Sequence, residues 1–145
     1  MLPRYHILFG ALFTLFVWAV LPSTSWLYLS LLFCSTFLMD FDHYIVGIKR
    51  TGTIRIGSIF EYHKEMLEKE KKLHKRGSRE KGDFHLFHTI EFHALIALLG
   101  AFFSSFFFIF LGMLFHSMLD IISLSWQGRI YRREFFLSGW VLKWI

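Results

Sequence analysis

Residues 94–120 read ALIALLGAFFSSFFFIFLGMLFHSMLD, an apolar run that closes on an imidazole and a carboxylate, His116 and Asp120. Four residues apart, these two groups share one face of a helix. As one continuous helix, Ala94 to Phe115 is about 33 Å long, enough to cross a bilayer core. That geometry puts His93, before the run, and His116, after it, on opposite faces of the bilayer. A break near Ser104-Ser105 makes the run a short hairpin and returns His116 to the level of His93. Neither serine nor the neighbouring phenylalanines force the break. We expect the hairpin, because only it brings the polar clusters of the chain together.

Three other polar clusters border apolar runs: His6, Asp40-Phe41-Asp42-His43, and the stretch from His85 to His93. The run from Ile7 to Leu21 ends at Pro22-Ser23-Thr24-Ser25, a turn with a helix-stopping proline. A second run, Trp26 to Met39, ends at Asp40. Each is roughly 21–23 Å long as a helix, short of a ~30 Å hydrocarbon core. A first hairpin is therefore expected here too, with Trp26 as an interfacial anchor. Arg4 before an apolar stretch also fits a signal peptide, but no A-x-A-like cleavage site follows, so the segment is read as a retained membrane helix.

Composition agrees with a membrane protein. The chain of 145 residues is 54% hydrophobic and 20% aromatic, and its 19% charged residues are crowded into the middle and the last fifth. A single cysteine, Cys34, excludes a disulfide framework and a Cys-based zinc ribbon. The net charge of +5 is read as a cytoplasmic face and anionic lipid head groups, with no nucleic acid expected as a partner. The candidate turns at 21–25 and 104–105 carry no charge. Arg4, the block from Lys49 to Lys81, and Arg129, Arg132 and Arg133 would then share the cytoplasmic side with the polar clusters.

The expected fold is thus all-α: an integral membrane bundle of two short helical hairpins with a charged cytoplasmic helix between them. The whole chain, 1–145, is read as one membrane domain. Residues 44–84 form a charged insertion, irregular around Gly47, Gly52 and Gly57, then a solvated helix from Ile59 to Arg76 carrying Glu65/Lys69 and Glu68/Lys72 pairs. His63 and His74 are assigned to its solvated face. Residues 125–145, with Trp140 and Trp144, are read as an interfacial tail.

The clusters carry metal-ligand chemistry. Two carboxylates at the C-terminal end of an apolar helix face its negative dipole end, which a cation would relieve. Asp and His mixtures suit zinc, manganese or iron. The plainer alternative for Asp40, Asp42 and His43 is a polar boundary paired with Lys49 or Arg50. His88 and His93, five apart, splay by about 140° on one helix and meet at one ion only if the helix begins between them. His85 and Glu91 are weaker candidates, Glu91 as an orienting or acid/base group. Together His6, Asp40, Asp42, His43, His88, His93, His116 and Asp120 exceed what one tetrahedral ion needs. Two divalent ions with a bridging carboxylate fit better, zinc first and manganese or iron next. Such sites suit phosphoester hydrolysis.

These motifs, in this order, resemble the YdjM-like inner-membrane, metal-dependent hydrolase family. That family is similar in motif style to the zinc-dependent phospholipase C and S1/P1-type nuclease superfamily. The resemblance rests on His6 with Gly10, on Asp40, Asp42 and His43, on His88 with His93, and on His116 with Asp120. Met39 stands where the family usually has proline, and the segment from Thr89 to Ala94 lacks the family's Arg, Gly, Thr and final Ser. The resemblance implies metal ligation at the matched positions and hydrolysis of a phosphoester. Asp42, His88, Asp120 and Glu91 are the expected catalytic groups, and Arg4, Lys49, Arg129, Arg132 and Arg133 the expected head-group contacts. A membrane lipid is both the expected substrate and the environment, with the site at the cytoplasmic face of a cell or inner membrane. The alternatives are a non-enzymatic, metal-stabilised membrane scaffold, a di-iron oxidase, or a haem carrier using His93 and His116. Oligomeric state is left open.

Overall fold

The computed structural model describes residues 3–141, and all regular structure among them is helical. The first hairpin consists of α1 (Pro3–Val20) and α2 (Trp26–Leu38). The Ser25 hydroxyl caps α2, accepting from the Tyr28 N–H at 3.4 Å. A two-residue junction, Met39-Asp40, leads into α3 (Phe41–Thr51), and α4 (Ile56–Lys75) then folds back on α3. The second hairpin is α5 (Ile90–Phe102) and α6 (Ser104–Trp126), followed by the short α7 (Leu137–Val141). In space α2 lies against both α1 and α6, and α5 packs on α6.

The long apolar run is therefore broken, at Phe103. Its backbone is extended (φ −132°, ψ 116°), and its N–H still bonds the Leu99 carbonyl at 2.9 Å. Gly100 lets the chain fold back so sharply: a Cβ there would lie 3.0 Å from the N and Cα of Phe107. At about 20 Å, α5 is too short to cross a bilayer core alone, whereas α6 at about 35 Å is not. Both hairpin turns lie away from the helix ends that carry His6, Asp40, His88 and Asp120.

Two glycines set how closely the helices approach. A Cβ on Gly10 of α1 would sit 2.0 Å from Thr36 Oγ1 of α2. A Cβ on Gly112 of α6 would sit 2.0 Å from Ser35 Oγ and 2.4 Å from the Leu32 carbonyl oxygen, also on α2. One helical turn from each glycine, on the same face, stands a histidine: His6 on α1 and His116 on α6. Close packing at the glycines thus brings the two imidazoles together.

Residues 44–51, expected as an irregular connection, are helical instead. Gly47 is a packing position, where a Cβ would lie 2.4 Å from Ile59 Cγ2 of α4. The helix stops at Gly52, whose φ of 68° suits glycine. The charged insertion is likewise not a free solvated arm. Glu70 of α4 is buried and bonds Arg129 through both carboxylate oxygens, with Arg132 Nη1 2.8 Å from Oε2. Asp83 accepts from Arg50 and from the Tyr62 hydroxyl, at 2.8 and 2.9 Å. The Gly82 N–H bonds the Arg132 carbonyl at 2.9 Å. His63 and His74 are also engaged: a His63 ring nitrogen lies 3.0 Å from the His43 carbonyl, and His74 Nδ1 3.1 Å from the Tyr131 hydroxyl. Glu68 pairs with Lys71 at 2.9 Å rather than with Lys72.

Removing Glu70 leaves two largely buried guanidinium groups facing each other. Glu70→Ala is expected to destabilise the fold by about 3 kcal/mol, the usual cost of stripping one partner from a buried pair. A thermal melt in detergent checks this, and an unchanged midpoint would mean the contact contributes nothing.

Burial is inverted relative to a soluble bundle. Among the described residues Leu29, Leu32, Met39, Ile59 and Met113 are the buried large apolar side chains, while Phe16 (63% exposed), Leu98 (61%) and Phe102 (75%) stand on the outside among many others. Two stretches, Trp26–Thr51 and Ser104–Trp126, are long and apolar enough to cross a membrane. Trp26 is 74% exposed beside its turn. Of the expected interfacial tail, residues 125–141 are described. They contain the end of α6 and a segment that returns to α5, with the Phe135 carbonyl accepting from the Ile90 N–H at 2.8 Å. The side chain of Trp140 and all of Trp144 lie outside the described residues.

Candidate metal centre

The junction between α2 and α3 arranges three of the polar groups. From Phe37 to His43 the backbone tightens to i→i+3 hydrogen bonds: Asp40 to Phe37, Asp42 to Met39 and His43 to Asp40. Such a turn eclipses residues three apart. Asp40 and His43 accordingly face the same way, Oδ1 to Nε2 at 3.6 Å, while Asp42 faces the segment before α5.

That segment is a short 3-10 turn, Leu86–His88, which ends where the Thr89 hydroxyl caps α5. Asp42 Oδ2 accepts from the Phe87 N–H at 3.0 Å and lies 3.1 Å from His88 Nδ1. Its other oxygen, Oδ1, is 3.5 Å from His85 Nδ1. The opposite edge of His88 faces α6, with His88 Nε2 3.1 Å from His116 Nε2.

The proton assignment at these two rings follows from their outer partners. His116 Nδ1 is 2.8 Å from the Thr36 carbonyl, an oxygen that can only accept, so Nδ1 carries the hydrogen. His88 Nδ1 likewise donates to the Asp42 carboxylate. In the neutral rings both Nε2 atoms then present lone pairs, aimed at one another across 3.1 Å. Lone pairs in that arrangement repel unless a proton or a cation stands between them. Burial pushes the His88 imidazole down to about 4, against the pull of Asp42, so this ring is neutral near pH 7. An imidazole held by a carboxylate or carbonyl at Nδ1, with Nε2 free to bind, is the arrangement of a metal-ligating histidine and its outer partner.

Around the two rings the carboxylates close in. His6 Nε2 is 3.2 Å from Asp120 Oδ1 and 4.0 Å from Asp40 Oδ2, and its ring stacks on His116 at a centroid distance of 4.0 Å. His116 Nε2 is 3.6 Å from Asp40 Oδ1 and 3.5 Å from Asp120 Oδ2. Donor atoms around a tetrahedral ion with ~2.1 Å bonds lie about 3.4 Å apart, and these separations bracket that value. Both ring nitrogens of His6, Asp40 Oδ2, Asp42 Oδ1 and His85 Nδ1 are buried with no partner in good hydrogen-bond geometry, although His6 Nε2 faces Asp120 and His85 Nδ1 faces Asp42. The donor set therefore fits a metal ion. Among the described residues it falls into three overlapping groups, His6/Asp40/His116/Asp120, Asp40/His43/His88 and Asp42/His43/His85.

Seven of the eight expected ligands meet here. His93 does not. It lies one turn inside α5, with Nδ1 2.9 Å from the Thr89 carbonyl and Nε2 accepting from the Ser117 hydroxyl at 3.0 Å, so it ties α5 to α6. The helix does begin between His88 and His93, but that start leaves only His88 facing the cluster. Glu91 also falls outside the site: its carboxylate accepts from the Leu137 and Ser138 N–H groups, at 2.9 and 3.1 Å, and so caps α7. Of the expected head-group cations, Arg133 reaches the cluster, Nη2 to Asp120 Oδ2 at 2.8 Å. Arg129 and Arg132 are held by Glu70. Arg4 is exposed over the Tyr5 ring, and Lys49 is exposed on α3. His85, rated a weaker candidate, joins the cluster. No family model matches the chain, and no curated protein or solved structure matches it either.

Proposed function

We propose that this protein is a membrane-embedded, metal-dependent hydrolase that cleaves a lipid phosphoester, akin to the YdjM-like family its motifs resemble. The single observation that carries the metal is the 3.1 Å approach of His88 Nε2 and His116 Nε2, ringed by Asp40, Asp120 and His6. Asp40 belongs to two of the three donor groups, one oxygen toward His6 and the other toward His43 and His116. In a reading with two ions it would be the carboxylate that both could share, and imidazole with carboxylate favours zinc, then manganese or iron.

Bound there, divalent ions supply a Lewis acid and a water acidic enough to act as nucleophile near neutral pH. The chain's own residues do the rest. Asp42 and the Thr36 carbonyl fix the tautomers of His88 and His116. Arg133 places a guanidinium beside Asp120, where an anionic phosphoryl group would sit. The apolar outer faces of α1, α2, α5 and α6 support a bilayer setting, and the cationic stretches 49–81 and 129–133 support a cytoplasmic site. A lipid substrate follows from a cluster placed at the ends of apolar helices.

The test is elemental analysis of detergent-purified protein beside His88→Ala, with bis(p-nitrophenyl) phosphate turnover measured before and after chelation. We expect about two ions per chain, as in paired hydrolytic sites, reduced in the variant, and turnover abolished by chelator and restored by zinc or manganese. Absence of metal even after reconstitution would sink this reading. Metal without turnover of any phosphoester would favour the scaffold, since the donors come from α1, the junction between α2 and α3, α3, α6 and the turn before α5 and would staple them together.

A further inference from the structure

A cavity of about 350 Å³ lies between α5 and α6, and His88 forms part of its wall as well as of the cluster. Ala94, Ala97, Phe110 and Leu114 line its apolar length. The small side chains of Ala94 and Ala97 on α5 leave the space that larger residues would fill. From Phe110 to Ile121 it follows α6 for about 16 Å, from near the hairpin turn to the level of the cluster. At that end stand His88 and Arg133, the latter bonded to Asp120. The polar groups in the middle of the wall, His93 and Ser117, bond one another, so the passage along them is lined by satisfied groups.

We propose that this cavity holds one hydrocarbon chain of an anionic lipid phosphate, its head group at Arg133 and His88 and its tail running toward the hairpin turn. The identity of the head group rests on the hydrolase reading above. The occupant follows from two features: the walls are apolar, and the cationic end is continuous with the cluster. A water-soluble phosphoester would leave the apolar length unfilled, and an uncharged lipid would bring no anion to the Arg133 guanidinium beyond the carboxylate of Asp120 that it already bonds.

The test uses dodecyl phosphate carrying a photoreactive diazirine at the chain terminus, with the full-length protein in detergent. Crosslinks are expected on cavity-lining residues of α5 and α6. Ala97→Phe, which fills the cavity far from the cluster, is expected to reduce them about tenfold, in line with excluding about two methylene groups from an apolar site. Metal content should not change. Crosslinks spread over the outer face of α1, or a yield unaffected by Ala97→Phe, would overturn the proposal. A parallel assay separates this from the hydrolase reading by comparing dodecyl and methyl esters of p-nitrophenyl phosphate. Preference for the dodecyl ester, lost in Ala97→Phe while methyl-ester cleavage persists, supports both. An equal rate on the two esters in the unmodified protein would overturn the chain site and leave the hydrolase standing. Crosslinking as expected with neither ester cleaved would retain the chain site and overturn the hydrolase.

Discussion

Asp120→Asn is expected to lower metal affinity by at least about a hundredfold, since even outer-shell partners of metal ligands cost up to that much. The substitution preserves shape and removes charge at the most connected carboxylate of the site. Asp120 lies 3.2 Å from His6, 3.5 Å from His116, 3.8 Å from His88 and 2.8 Å from Arg133. An amide oxygen replaces one acceptor, but the amide nitrogen turns two N–H donors toward ring nitrogens that would bind metal. The buried Arg133 guanidinium also loses its counter-charge, which costs about 3 kcal/mol or more in the metal-free protein. Two measurements separate the effects. Elemental analysis reports the loss of metal, and melts with and without added zinc report linkage, because a ligand that binds only the folded state raises its stability. The unmodified protein should gain stability on zinc addition and the variant should not. Full metal occupancy in Asp120→Asn would remove Asp120 from the ligand set.

Gly112→Ala is expected to be the most damaging single-methyl substitution in the bundle. The added Cβ would lie 2.4 Å from the Leu32 carbonyl oxygen as well as 2.0 Å from Ser35 Oγ. A side chain can rotate away, but a helical carbonyl cannot, so α6 must move off α2. Overpacking of this kind costs about 1–3 kcal/mol and sometimes more. The displacement also carries His116, one turn along the same face, away from Thr36 and His88. Gly10→Ala is the control, because its clash is with the Thr36 side chain. Adding Thr36→Ala, which removes the 2.0 Å clash with Oγ1 and leaves only Cβ at 2.9 Å, should restore most of the stability of Gly10→Ala, whereas Ser35→Ala should rescue Gly112→Ala less. Thermal melts paired with metal content check both. A fully stable, metal-replete Gly112→Ala would show that the helices do not approach as closely as this packing requires.

Much of the site is legible in the chain because its ligands lie at the ends of apolar runs, where polar groups are conspicuous and helical spacing decides which share a face. His116 and Asp120 pair by spacing alone, and the two-run pattern around Pro22 implies a hairpin without further information. Other features depend on contacts between segments remote in sequence. Gly100, Gly10 and Gly112 look like unremarkable helix interior positions until a second backbone lies against them. Gly47 reads as a breaker by composition and is a packing site only because Ile59 of α4 lands on it.

The sequence by itself therefore determined an all-helical chain with apolar runs, a charged middle and four polar clusters at the run ends. Only the tertiary structure decided which members of those clusters meet. His93 was separated from His88 by the capping of α5 at Thr89, a local hydrogen bond that sets the phase of the helix. Glu91 went to α7, and Arg129 and Arg132 to Glu70, while Arg133, next in line, reached Asp120. Periodicity fixes the face on which a side chain lies within its own helix. Which face meets another helix depends on the closeness and phase of packing, and here small residues and tight turns set both.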